Sequence, residues 1–180
     1  MPENTMTTFE LVHRPALGAV KPVQASRIRL APLPEGVILQ IIGPLDGAAP
    51  VADAARQAGL SLRPNGPGQW FLVSDVAMTS AAVEALRGSL GAGFTVVDQS
   101  HGRIRIAIEG MAVEDVLAKG TGVDLAAFAV GHATSTLVGH IPVHLGRLSA
   151  TAFELMSLRG FAESLWHDLQ TMAAEYSDRH

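Results

Sequence analysis

The run Asp98-Gln99-Ser100-His101-Gly102-Arg103 gathers an acid, an amide, a hydroxyl, an imidazole and a guanidinium into one loop. It joins the apolar stretch Phe94 to Val97 to a segment of alternating character, Arg103-Ile104-Arg105-Ile106-Ala107-Ile108. Two uses suit such a run. In a hairpin turn, Asp98 or Ser100 would accept hydrogen bonds from nearby backbone amides and Gly102 would supply an unusual dihedral. In a recognition loop, Asp98 would pair with Arg103 or with an external base, and His101 would donate to a partner's carbonyl. Strand alternation places Arg103 and Arg105 on the face opposite the isoleucines, a face that is either wet or docked on another, acidic chain.

Other constellations fail on geometry. Among the seven histidines, His140 and His144 are the most suggestive metal pair, but that spacing spans roughly 13 Å along a strand, too far for one ion. They read as ordinary surface or interface histidines. Gly88, Gly91 and Gly93 lie where a helix gives way to a strand, the reverse of a dinucleotide-binding loop. The Glu114 and Asp115 carboxylates diverge from adjacent helical positions and suit a helix start rather than acid/base work. Glu84 and Arg87 read as a solvated pair. With no cysteine, the chain holds no disulfide, thiolate nucleophile or cysteine-ligated metal. A net charge of -4 and a pI near 5.9 give no electrostatic footprint for nucleic acid. No apolar stretch approaches the roughly 18 residues of a membrane span, and the polar start Met1 to Thr8 lacks the basic cluster of a signal peptide. The expected location is cytoplasmic.

The elements that must position the loop show a repeat. Residues 1–26 carry little periodicity and three prolines, Pro2, Pro15 and Pro22, which predicts an arm either loose or pinned on a partner. Residues 27–180 are expected to form a single α+β domain of two pseudo-repeat lobes, about 27–93 and 94–180. Strands are predicted at 28–31, 37–42 and 69–74, the second buried on both faces. A helix over about 50–58 ends at Gly59, and a second, capped by Thr79 or Ser80, buries Val83, Leu86 and Leu90. The second lobe replays this with a strand at 104–108, a helix at about 112–118 and strands near 135–138, 141–148 and 152–156. A last helix after Gly160 presents Phe161, Leu165, Leu169, Met172 and Tyr176 on one face. Trp70-Phe71-Leu72-Val73 parallels Phe153-Glu154-Leu155-Met156. The fold class is duplicated strand-helix-strand-helix lobes, with antiparallel or mixed sheets covered by helices. The two halves are expected to share one hydrophobic interface.

The pattern Val96-Val97-Asp98-Gln99-Ser100-His101-Gly102-Arg103, an alternating strand, Gly110 and a short helix bearing Leu117 resembles the gamma subunit of heterotetrameric sarcosine oxidase. Further agreement comes from Leu117-Ala118-Lys119-Gly120 leading to Asp124-Leu125, and from Phe153-Glu154-Leu155 leading to Arg159-Gly160-Phe161-Ala162-Glu163-Ser164-Leu165-Trp166. The resemblance runs from about Gly36 to the C-terminus. It departs at Thr121, where cysteine is expected, and at Gly160, where serine is usual.

The resemblance implies a fold similar to part of the folate-binding fold of glycine-cleavage aminomethyltransferases. It also implies a noncatalytic chain without cofactor, docked chiefly on an alpha subunit in a complex with beta and delta subunits. In that complex alpha carries NAD and the tetrahydrofolate site, beta carries FAD and FMN, and delta carries zinc. The whole demethylates sarcosine to glycine, yielding hydrogen peroxide and formaldehyde or methylenetetrahydrofolate. Candidate partner-facing residues are Asp98, Gln99, His101, Arg103, Arg105, Arg159 and Trp166, with Trp166 alternatively in the core beside Leu165 and Leu169. The rival is a small autonomous folate-binding one-carbon protein in which Asp98 or Arg159 would contact the ligand. The subunit reading implies a large apolar patch, and the rival a deep pocket lined by aromatics and polar groups.

Overall fold

A computed structural model describes residues 12–176. Its first sheet follows from the apolar strands β3 (Val37–Ile42), β5 (Gln69–Ser74) and β6 (Thr95–Asp98), joined by the polar strand β4 (Ser61–Pro64). With helices α1 (Ala48–Gln57) and α2 (Ser80–Leu90) the chain order is β3-α1-β4-β5-α2-β6, and the sheet order is β4-β5-β3-β6, antiparallel throughout. This is the split βαββαβ arrangement. Helix α1 stops at Gly59, whose φ of 67° lets Leu60 N–H bond back to Ala55 O at 2.8 Å. Thr79 Oγ1 caps α2 by accepting from Ala82 N.

The second sheet follows a related order with one more strand between its helices: β7 (Arg103–Glu109), α3 (Val113–Ala118), β8 (Ala133–Val138), β9 (Ile141–Ser149), β10 (Ala152–Leu158) and α4 (Ala162–Ala173). Its order is β1-β2-β7-β10-β9-β8, where β1 (Val23–Gln24) and β2 (Arg29–Pro32) precede the first unit in sequence. The position beside β7, which β6 fills beside β3 in the first sheet, is therefore filled by β2. The seam between units falls at Gln99 to Gly102, beyond the boundary at 93/94 that the sequence suggested. Strands β5 and β10 occupy equivalent places beside β3 and β7, as their parallel sequences implied.

The expected arm divides. The part at 15–25 packs on this chain, with Leu17 buried in the second core and β1 paired to β2. Residues 1–11, including Phe9 and Leu11, lie outside the described residues.

Period-two alternation sorts the side chains into four layers. Val37, Leu39, Ile41, Trp70, Leu72 and Val96 pack against α1 and α2. Ile104, Ile106, Ile108, Phe153 and Leu155 pack against α3 and α4, where Leu165, Trp166 and Leu169 are buried. Phe161 is exposed rather than on the buried face, because a 3-10 turn (Arg159–Phe161) precedes α4; Ala162 and Ala173 take buried places instead. Between the sheets, among the described residues, Ile38, Phe71, Val73 and Met156 form a small buried apolar cluster. The expected hydrophobic interface between the halves is thus small, and polar contacts do much of the joining.

Gly110 has φ 129°, and a Cβ there would stand 2.2 Å from Arg27 O, so the β7–α3 turn admits no side chain. Trp166 is 3% exposed within the second core. Its truncation to Ala is expected to lower unfolding free energy in urea by about 3–5 kcal/mol; an effect below about 1 kcal/mol would remove it from the core account.

Candidate functional site

The Asp98 to Arg103 loop is fastened by its own side chains. Ile38 N–H donates to Ser100 Oγ at 3.0 Å, and that hydroxyl donates to Asp98 Oδ1. Asp98 Oδ1 also accepts from Ser100 N, while Gln99 N–H donates to Ile38 O at 2.8 Å. The Asp-x-Ser spacing therefore ties the seam to the edge of β3. Asp98 does not pair with Arg103, and Gly102 has no positive φ; the turn closes through Gln99 O, which accepts from Gly102 N and Arg103 N.

Arg159 closes the loop from the other side. Its backbone N–H donates to Gly102 O at 2.8 Å, and its guanidinium donates to Glu35 Oε1 and to Arg14 O. Glu35, on the turn between β2 and β3, also accepts from Ala16 N at 2.7 Å and meets His13 Nε2 at 2.8 Å. Burial would raise the Glu35 carboxyl, but hydrogen bonds from Ala16 N–H, Arg159 and His13, with the Arg159 charge, hold it below its ordinary value of 4.5. One carboxylate thus joins the arm, the β2–β3 turn and the end of β10. Beside it His13, Glu35, Asp98, Ser100 and His101 line a crevice of about 90 Å³, room for a few waters rather than a pterin ring.

Arg105 is 5% exposed, and its face is docked on this chain's own first sheet rather than on another acidic chain. It donates to Glu154 Oε2 at 3.2 Å, to Ser74 O at 3.1 Å and to the Asp75 carboxylate. Arg63 Nε reaches the other Glu154 oxygen at 3.0 Å. His144 lies in the same layer, edge-on to Phe71, with Nε2 2.7 Å from Pro64 O. Burial pushes the His144 imidazole below its ordinary value, despite the opposing Pro64 hydrogen bond and Glu154 charge. His140 stands in the β8–β9 turn, so the two histidines do not share a strand. Among the described residues no group of three or more His, Asp or Glu side chains is placed to hold a metal ion.

Of the sequence candidates, Asp98, Gln99, His101, Arg103 and Arg159 converge at the seam. Arg105 lies inside, between the sheets, and Trp166 sits apart in the α4 layer. Sequence reasoning missed Glu35 and Glu154, whose partners lie far along the chain; the one available signal was an acid in an otherwise apolar strand for Glu154.

The antiparallel two-sheet α+β architecture resembles part of the aminomethyltransferase fold. The glycine cleavage system aminomethyltransferase T from Bartonella henselae superposes at TM-score 0.62 and 17% identity, over 81% of this chain and 46% of that one. The chain belongs to the sarcosine oxidase gamma subunit family, whose model matches residues 40–175. A chain of the heterotetrameric sarcosine oxidase from Corynebacterium sp. U-96, in complex with pyrrole 2-carboxylate, superposes at TM-score 0.77 and 23% identity, covering 93% of this chain and 98% of that one. Clostridium acetobutylicum aspartate kinase shares the layered fold at TM-score 0.52 and 10% identity, over 86% of this chain and 36% of that one. No curated protein matches in sequence. At Gly160 nothing lies within 4 Å of a Cβ position, so the serine usual there would fit.

Because the folded Glu35 carboxyl is depressed, its contribution is complete above the unfolded value and is lost as pH falls through the folded one. Glu35→Gln is expected to destabilise the chain at pH 7 by about 1–3 kcal/mol. The difference from wild type should vanish on acidification below the carboxylate range, as followed by urea melts across pH; a difference independent of pH would contradict the ionic role.

Proposed function

We propose that this chain is a noncatalytic gamma subunit of a heterotetrameric sarcosine oxidase. That complex converts sarcosine to glycine, with hydrogen peroxide and formaldehyde or methylenetetrahydrofolate as products. The observation that carries the reading is family membership over residues 40–175. The condition of the charged side chains supports the noncatalytic role: Arg63 and Arg105 are paired with Glu154 and Asp75, and Glu35 accepts from three donors. Carboxylates held as anions in ion pairs are poor proton donors and weak bases toward a substrate.

In this reading FAD, FMN, NAD, tetrahydrofolate and zinc belong to the alpha, beta and delta subunits, and the complex works in the cytoplasm. No helix among the described residues is long and apolar enough to cross a membrane. The seam residues Asp98, Gln99, His101, Arg103 and Arg159 face the partner, chiefly alpha. Arg105 and Trp166 act from within, holding the sheets and helix that present them. The alternative, an autonomous folate-binding protein, draws on the fold shared with the aminomethyltransferase, but the chain spans less than half of that enzyme.

Co-expression of the tagged chain with candidate alpha, beta and delta chains, followed by size exclusion and a visible spectrum, tests the proposal. The expected result is a single flavin-bearing species that retains this colourless chain. A monomer that ignores those chains and binds tetrahydrofolate would overturn it.

A further inference from the structure

Arg63, Arg105, Arg147 and Arg159 each meet a carboxylate of this chain. Arg103 does not. Its side chain lies on the inner face of β7, its guanidinium 5.0 Å from the centre of the Phe71 ring, and among the described residues it has no ion pair and no side-chain hydrogen bond. Its Nε is buried without a partner. Desolvation weakens its hold on its proton, the direction expected of a cation drawn from water without a counter-charge. The acid of the same loop, Asp98, is turned to Ser100. A buried, unsatisfied polar group in a folded chain calls for an acceptor from elsewhere.

The surroundings of Arg103 describe that acceptor. Its cation–π partner Phe71 pairs across strands with Gln40, which pairs in turn with Val97. Val97 and Ile42 belong to the inner face of the first sheet, yet they are 37% and 43% exposed because the second sheet does not cover that corner. On the second sheet Leu158, the register partner of Arg103, is 44% exposed. The floor holds a row of amides, Gln69, Gln40 and Gln99, joined by long contacts of 3.4 and 3.5 Å. Such weak bonds exchange readily for bonds to an incoming chain.

We propose that this open corner between the sheets is a docking site for an extended segment of a partner subunit. A carboxylate of that segment pairs with Arg103, and its apolar side chains cover Ile42, Val97 and Leu158. Charge complementarity selects the occupant: a guanidinium fork in a half-dry setting favours a planar, bidentate carboxylate. The amide row supplies hydrogen bonds that an extended backbone can use. The inference rests on the subunit reading and adds which surface meets the partner and by what chemistry.

The test titrates the labelled chain into a complex of the other three subunits, comparing wild type with Arg103→Met, Val97→Arg and Arg56→Met. Arg103→Met keeps a stem over Phe71, Val97→Arg changes an exposed position, and Arg56 pairs with Asp53 on the exposed face of α1. The first two are expected to raise the apparent Kd at least about tenfold with unchanged melting temperature, and Arg56→Met to leave it unchanged. If Arg103→Met misfolds, Val97→Arg decides. Wild-type affinity in both corner variants would overturn the inference while leaving the subunit reading intact. Failure of the wild-type chain to bind would overturn both. Binding of tetrahydrofolate triglutamate by the isolated chain, lost in Arg103→Met, would overturn it in favour of a small-molecule carboxylate.

Discussion

Both oxygens of Glu154 are taken by guanidinium groups on different sheets, Arg63 on β4 and Arg105 on β7, and the relation of the two units depends on that bridge. Among the described residues the buried apolar cluster between the sheets has four members, a small contact for fixing how one sheet lies on the other. Removing one partner of such a group would strand a charge away from water, at about 3–5 kcal/mol. The bridge therefore specifies register more than it adds stability. Together with the His144 contact to Pro64 O and the Ser135 contact to Asn65, it closes one corner of the inter-sheet layer. The corner at Arg103, Gln40 and Val97 stays open, with Val97 37% exposed.

The open corner adjoins the seam built by Asp98, Ser100, Glu35 and Arg159. Ser100 ties the loop to β3, and Arg159 ties it to the arm through Glu35. A partner that meets this surface touches both units and the N-terminal arm at once. The chain thereby offers a folded face in which Glu154 and Glu35 are engaged within the chain while Arg103 is left without an acid.

Much of the fold could be read from residue order. The near-continuous apolar runs at Val37–Ile42 and Gln69–Ser74 form strands at the predicted places because they are short and bounded by Gly and Pro turns, and the helix bearing Leu165 and Leu169 forms because its apolar spacing follows the helical period. Strand β4 was not read, since Ser61–Pro64 is a polar edge strand with little pattern. The alternation of Arg103 and Arg105 gave the correct face, but nothing local showed that the chain's own first sheet would cover Arg105 and leave Arg103 without an acid. Glu35 was equally silent: in Pro34-Glu35-Gly36 it reads as a surface turn, and its partner Arg159 is reached only through the fold. Long-range pairs between unlike elements leave no spacing to detect, whereas helices and strands do.

The measurement closest to the central claim is hydrogen exchange of the chain free and assembled with the other subunits. Slowed exchange in β6 and through residues 98–103 on assembly, with the exposed face of α4 unchanged, is the expected result. Protection confined to the outer faces of the helices, with β6 and the seam exchanging as in the free chain, would contradict it.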